Sequence, residues 1–364
     1  MLQTKNAKDG GIFANLSRNQ KRQIEKTIIA TKGDPDKPVS VQASIPYLAM
    51  YPDGVCRVTD RLYSKTIEYE DVNYMLAGKD EQTGIFENLC DLHNYFDPSI
   101  SVQETFISQK TTKGEFISAI EIPPAADGFN HIRDELSGIL KKQHEQGNNG
   151  LARTKYLTFA IEADNMKTAK SRLARIETDL LNHYKVLGAA AWTLSGKDRL
   201  AAMHSILHLG GAEPFAFEWD WLSKTGMGTK DYISPTSFHF GEGRTFRIGG
   251  RIGAVSFLHI TAAELNDRIL ADFLEVDANV VVNLHIRSID QNEAVKMIKR
   301  KITDIDGMRV NEQKRAVRSG YDMEIMPTDL NTYGDEAKKL LKDLQSRNEK
   351  MFLLTTTTNT RKGI

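Results

Sequence analysis

Cysteine is nearly absent from this 364-residue sequence, which has only Cys56 and Cys90. Two thiols cannot build a disulfide framework or a four-thiolate zinc site. They fit a reducing compartment, where free Cys packs as a small apolar side chain. Net charge is absent too, because 48 Lys and Arg face 48 Asp and Glu. A chain built around a broad nucleic-acid surface is usually basic, so neutrality leaves room only for a local patch. No stretch approaches the roughly 20 apolar residues of a membrane span. The longest apolar run, Val186 to Leu194, is strand-sized, and Met1 to Asn6 hold no apolar signal core. A cytoplasmic protein is expected. What is there is 40% hydrophobic and 26% charged, the composition of a globular chain long enough for about two domains.

Motifs that carry chemistry are also scarce. A P-loop needs Gly-x-x-x-x-Gly-Lys followed by Ser or Thr, so that backbone N–H groups and the Lys wrap the phosphates. Gly78-Lys79 and Gly196-Lys197 are each followed by Asp. Gly241-Glu242-Gly243 and Gly249-Gly250-Arg251-Ile252-Gly253 miss the dinucleotide fingerprint and read as hairpin turns. There is no Gly-x-Ser-x-Gly elbow, and neither cysteine has a catalytic signature. No cofactor and no catalytic residue are expected in this chain. His204 and His208 sit four apart on a predicted helix, where both rings could face one metal. The sequence His-Ser-Ile-Leu-His lacks the general-base Glu of zincins, so ordinary packing at a helix end is the simpler account. A zinc-dependent enzyme is the third option.

The pattern along the chain predicts an α/β (α+β) fold with helices packed on mixed sheets, built from strand-helix-strand units. Residues 1–40 read as a polar arm, with a short helix near Leu16 to Ile29. Residues 41–150 form a first α+β subdomain. It has a hairpin at Tyr47 to Val58 around Pro52-Asp53-Gly54, a strand at Tyr63 to Tyr69 and a helix over 80–96. Paired strands at Ile100 to Ser108 and Glu115 to Ile122 follow, then a helix from Asn130 to Gln146. The Gly147-Asn148-Asn149-Gly150 loop marks the boundary. Residues 151–354 form a second α/β subdomain. Strands are expected at Tyr156 to Ile161, Val186 to Leu194, Ser237 to Ile248, Ala254 to Ile260, Asn279 to Ile286 and Met351 to Leu354. Helices are expected over Asn165 to Tyr184, Lys197 to Leu209, from the Thr261–Glu264 capping box, from Gln291 through Arg318, and over Asp335 to Arg347. Residues 355–364 read as an aberrant low-complexity tail in which the last strand stops unpaired.

Two surfaces stand out. Phe215, Phe217, Trp219 and Trp221 alternate, which in an extended segment places all four on one face, either on the chain's own core or as a docking arm. From Lys296 to Arg318, eight basic residues (Lys296, Lys299, Arg300, Lys301, Arg309, Lys314, Arg315, Arg318) outnumber three acidic ones (Asp304, Asp306, Glu312). Such a helix either is a solvated face or lies against phosphates or an anionic membrane surface.

Several words of the sequence resemble a known family. Tyr63-Ser64-Lys65-Thr66-Ile67, Asp71-Val72-Asn73-Tyr74 and Asn94-Tyr95-Phe96-Asp97 come first. Gly147 to Gly150 with Arg153-Thr154-Lys155-Tyr156, and Ile161 to Asn165, follow. Met203-His204-Ser205-Ile206, Trp219-Asp220-Trp221-Leu222, Gly253 to Leu258 and Leu340 to Arg347 complete a collinear set over about residues 40–354. They resemble the N-terminal part of the conjugal-transfer ATPases of type IV secretion systems (TrbE/CagE/TraC-type), in the version carried by conjugative elements of Gram-positive bacteria. The resemblance implies a domain that docks the motor on channel subunits at the inner membrane face, or on full-length ATPase copies. It also implies a missing RecA-like domain that would bear Walker A, Walker B, ATP and magnesium. This chain alone is then expected to hydrolyse no ATP. The family continues with apolar residues after Leu354, so Thr355 to Thr358 and Arg361-Lys362-Gly363-Ile364 look like a frameshifted or truncated end. The rival expectation is a nucleic-acid-binding accessory protein using the basic helix 296–318.

Overall fold

The computed structural model describes residues 40–110, 128–146, 151–209, 213–241, 243–259, 268–276, 278–318, 328–346 and 349–363. The chain divides into two compact units, Met1–Pro46 and Tyr47–Ile364. In the first, the helical turn α1 (Val41–Ser44) is capped by Ser40, whose Oγ accepts from the Ala43 N–H at 3.2 Å. The expected helix at Leu16 to Ile29 lies outside the described residues.

The second unit belongs to the expected mixed α/β class. Its elements in chain order are β1 (Ala49–Met50), β2 (Cys56–Arg57), β3 (Leu62–Tyr69), α2 (Lys79–Tyr95), β4 (Ile100–Lys110), α3 (Asn130–Gln146), β5 (Leu151–Glu162), α4 (Met166–Leu187), β6 (Ala191–Thr193), α5 (Gly196–Leu207) and α6 (Trp219–Thr225). They continue with β7 (Phe238–His239), β8 (Phe246–Ile248), β9 (Arg251–Phe257), α7 (Ile269–Leu274), β10 (Asn279–Ser288), α8 (Gln291–Arg318), α9 (Thr328–Ser346) and β11 (Phe352–Gly363). The strands make one eleven-stranded sheet in the order β1-β2-β3-β5-β4-β10-β11-β9-β8-β7, with β6 on β3. Every pairing among the described residues is antiparallel. One edge of β3 belongs to β5. The other is shared by β2, opposite Tyr63 and Ser64, and β6, opposite Ile67 to Tyr69.

Because side chains alternate along a strand, register sorts the sheet into two faces. One face holds Ile67, Leu157, Phe159 and Ile161, each fully buried. Helix α4 covers it with Ala169, Leu173, Ile176, Leu180 and Tyr184, an amphipathic stripe at spacings of three and four. Leu92 of α2 and Phe96 just beyond it close the same core. The opposite face is polar. One cross-strand row on it reads Thr66, Thr158, Gln103, His285, Thr355. Elsewhere it turns apolar: Ile107, Val281 and Leu209 are buried together with Ile206 against them, and Phe246 and Ile248 are buried on β8.

Several expectations change. The run Val186 to Leu194 is mostly not strand. Helix α4 continues through Leu187 because Tyr184 and Leu187 extend its buried stripe, and Gly188 ends it at φ +83°. Only Ala191–Thr193 pairs. Among the described residues between Ser237 and Ile248, only β7 and β8 are strand. The division at 150 does not interrupt the sheet, since β5 begins at Leu151 and lies between β3 and β4. The last strand is neither short nor unpaired. It runs through the threonines to Gly363, bonded to β10 on one side and β9 on the other. Residues 355–363 are therefore interior sheet and not a low-complexity tail, as the strand preference of β-branched Thr allows. Helix α8 spans Gln291 to Arg318 as read, and α9 starts earlier than Asp335, at Thr328. The Glu115–Ile122 strand, the Gly147–Gly150 loop and the Thr261–Glu264 capping box lie outside the described residues.

Candidate functional site

Helix α5 is the element around which the polar face is organised. Its start is a capping box: the Ser195 Oγ accepts from the Asp198 N–H, and an Asp198 carboxylate oxygen accepts from the Ser195 N–H at 3.1 Å. Gly196 follows because nothing larger fits. A Cβ there would stand 2.1 Å from the Tyr51 carbonyl oxygen and 2.8 Å from the Trp219 ring. The β1–β2 turn arrives at the same place through Gly54, at φ +80°, where a Cβ would meet the Leu194 carbonyl oxygen at 2.2 Å.

Two arginines fix α5 to the sheet. Arg199, only 4% exposed, donates to the Gly54 carbonyl at 2.7 Å, the Ser64 carbonyl at 2.8 Å and the Ser64 Oγ at 3.0 Å. Burial holds its guanidinium below the usual range, offset by the nearby Cys56 and Tyr47. Burial pushes the Cys56 thiol up, while Arg199 opposes this. At the other end Arg361 of β11 donates to the Leu207 carbonyl at 2.8 Å, a cation on the last carbonyl of the helix. Its guanidinium lies over the Phe246 ring at 5.6 Å and is pushed down to about 10, by burial and then by Arg251.

Held this way, α5 leaves a cleft of about 440 Å³ against β3, β5 and β6. Glu68, Tyr156 and Trp192 line the sheet side, and Asp198 and Ser205 line the helix side. Burial, then the charges of Asp198 and Glu70, raise the Glu68 carboxyl above its ordinary value. The Ser205 Oγ accepts from Gln109 Nε2 at 2.8 Å. Sequence reading missed this cleft. Asp198, Ala201, Ala202 and Ser205 do share one helical face, which was a legible signal.

The aromatic row is broken in the fold. Helix α6 starts at Trp219, so the alternation that would align all four residues ends there. Phe217 is 2% exposed and meets Trp219 edge-on at 5.0 Å and Tyr232 at 5.1 Å. Phe217 is thus core and not a partner surface. Phe215 packs on Phe217 at 6.3 Å and on His204 at 5.4 Å, and Trp219 is half-buried. Trp221 alone stands out, 36% exposed, with its ring 6.0 Å from Tyr232.

No family model and no curated protein matches this chain.

His204 and His208 do come together, their rings stacked at 3.9 Å. The spacing serves packing: His208 Nδ1 lies 3.0 Å from the His204 carbonyl, and its Nε2 lies 3.1 Å from Glu213. Burial and the neighbouring His208 hold His204 below its ordinary range. Among the described residues no group of three or more His, Cys, Asp or Glu side chains is arranged to hold a metal ion. Among them also, no helix is long and apolar enough to cross a membrane.

All seven basic residues expected to make surface contacts on α8 are exposed: Lys296, Lys299, Arg300, Lys301, Lys314, Arg315 and Arg318. The inner side of α8 packs Ala294, Ile298 and Ile302 against Leu341 and Leu344 of α9. At about 100° per residue, Lys296, Lys299, Arg300, Lys314 and Arg318 fall in one outward sector that no acidic side chain of α8 shares. Lys301 and Arg315 point elsewhere, and Arg315 is engaged by Glu312 at 2.7 Å.

Proposed function

We propose that this chain is a docking and assembly domain of the conjugal-transfer ATPase kind, binding channel or motor subunits of a type IV secretion system and hydrolysing no ATP itself. The collinear resemblance over residues 40–354 supports the reading. So does one structural observation: Trp221 is an exposed aromatic whose ring lies 6.0 Å from half-buried Tyr232, which packs in turn on buried Phe217. Rigid aromatic anchors dominate the binding energy of protein interfaces. The test is capture of purified channel subunits by the W221A variant. Its retention of subunits should fall while its circular dichroism spectrum matches wild type. Unchanged capture by a folded W221A variant would remove the aromatic anchor from the reading.

A second reading, a nucleic-acid-binding accessory protein, is favoured by the α8 stripe. Lys296 to Arg318 spans about 33 Å at 1.5 Å per residue, a row of cations suited to successive phosphates. Salt separates the two readings. Phosphate contacts weaken steeply as salt rises, whereas apolar docking does not.

A further inference from the structure

The cleft beneath α5 is used by neither reading. Three of its features converge. The first is an uncompensated carboxylate. Glu68 lines the cleft without a hydrogen-bond or ion-pair partner among the described residues, and no Lys or Arg lines the cleft with it. The second is a partly engaged carboxylate. Asp198 spends Oδ2 on the Ser195 N–H and Oγ–H, at 3.1 and 2.7 Å, and Oδ1 has no such partner among the described residues. The third is an aromatic wall. Trp192 is 42% exposed and sits directly across from Glu68 in the β3–β6 register, so indole and carboxylate stand side by side on one sheet face. Ala201 and Ala202 leave the helix side of the cleft without bulk.

An aromatic face beside carboxylates is the chemistry that receives an organic cation. Guanidinium suits it best, being flat, weakly hydrated and able to bond a carboxylate while stacking on a ring. We infer that this cleft binds a guanidinium group carried on an alkyl chain, stacked on Trp192 and held by Glu68 and Asp198. The group comes either from a free small molecule or from an arginine side chain of a polypeptide. The inference stands apart from the docking reading, since it uses none of the residues of α6 or α8.

The test uses the full chain with ¹⁵N-labelled tryptophan. Its three indoles, Trp192, Trp219 and Trp221, give three N–H signals, and the W192F variant assigns the first. Agmatine is titrated in one arm and acetyl-Gly-Arg-Gly-amide in the other. The Trp192 signal should move saturably while the other two stay still. E68Q should weaken binding about tenfold, the loss expected for one charge-assisted contact. Because Glu68 has no partner to lose among the described residues, E68Q should keep the wild-type circular dichroism spectrum. Preference for agmatine identifies a free ligand, and preference for the tripeptide identifies an arginine side chain. A Trp192 signal unmoved by millimolar concentrations of both probes would overturn the inference. So would E68Q binding as well as wild type.

Discussion

Arg199 is the side chain whose removal should be felt most. It is a cation, 4% exposed, with no carboxylate among its hydrogen-bond partners, and it joins the β1–β2 turn and β3 to the first turn of α5. Each hydrogen bond from a charged donor is worth about 1.5–3 kcal/mol, and most of that sum is offset by the several kcal/mol needed to desolvate the guanidinium. Truncation reverses only part of this balance. In R199A two carbonyls and a hydroxyl lose their donor inside the protein, at about 1–3 kcal/mol for each group left unsatisfied, and a void remains. A loss of about 4 kcal/mol follows, a large share of the 5–15 kcal/mol typical of a domain. R199K keeps the charge but not the planar fork, so it should lose about half as much. Urea unfolding followed by circular dichroism measures both, with the slope checked for a common denatured state. An R199A variant within 1 kcal/mol of wild type at the same slope would refute the claim that this guanidinium holds α5 in place.

E68Q should be more stable than wild type at neutral pH. A carboxyl with a raised folded-state pKa contributes no penalty below its unfolded value of 4.5 and an increasing one as pH climbs through the folded value, so the gain should vanish in acid. Urea midpoints of the two proteins across that range decide it. His93 is shifted in the same direction, so its slope with pH has the same sign in a higher window. Burial alone would lower its pKa, but the hydrogen bond and charge of Glu104, 3.3 Å away, raise it above 6.5. The stability it contributes is complete below pH 6.5 and is lost as pH rises through the raised value, a slope that E104Q should flatten. F217A should lose about 3–5 kcal/mol in thermal or urea unfolding, as a buried aromatic does, whereas W221A should lose under about 1 kcal/mol.

What could be read from the sequence was what is local. The period of Val295, Ile298, Ile302 and Ile305 placed α8, and Val280 to Val282 marked a strand buried on both faces, each residue now at 2% exposure or less. Long-range register was invisible. Nothing near Thr355 to Thr358 announces that β9 and β10 flank it, so a β-branched run inside a sheet looked like low complexity. The aromatic alternation misled because the backbone changes period at Glu218, from extended to helical. The cleft was half legible. Its helix side follows from the spacing of Asp198 and Ser205, while Glu68 and Trp192, far apart in sequence, meet only through the β3–β6 pairing.

Site-specific crosslinking at Trp221 tests whether this chain docks on a secretion channel. A photoreactive phenylalanine analogue at position 221 of the full chain, co-expressed with the channel subunits of a conjugative element, reports which chain lies against that surface. Docking through this surface should give a crosslink to an inner-membrane channel subunit or to the motor ATPase, identified by mass spectrometry and lost when the analogue is moved to an exposed position such as Lys339 of α9. A folded protein that yields no such crosslink at position 221 while the channel assembles would rule out docking through this surface.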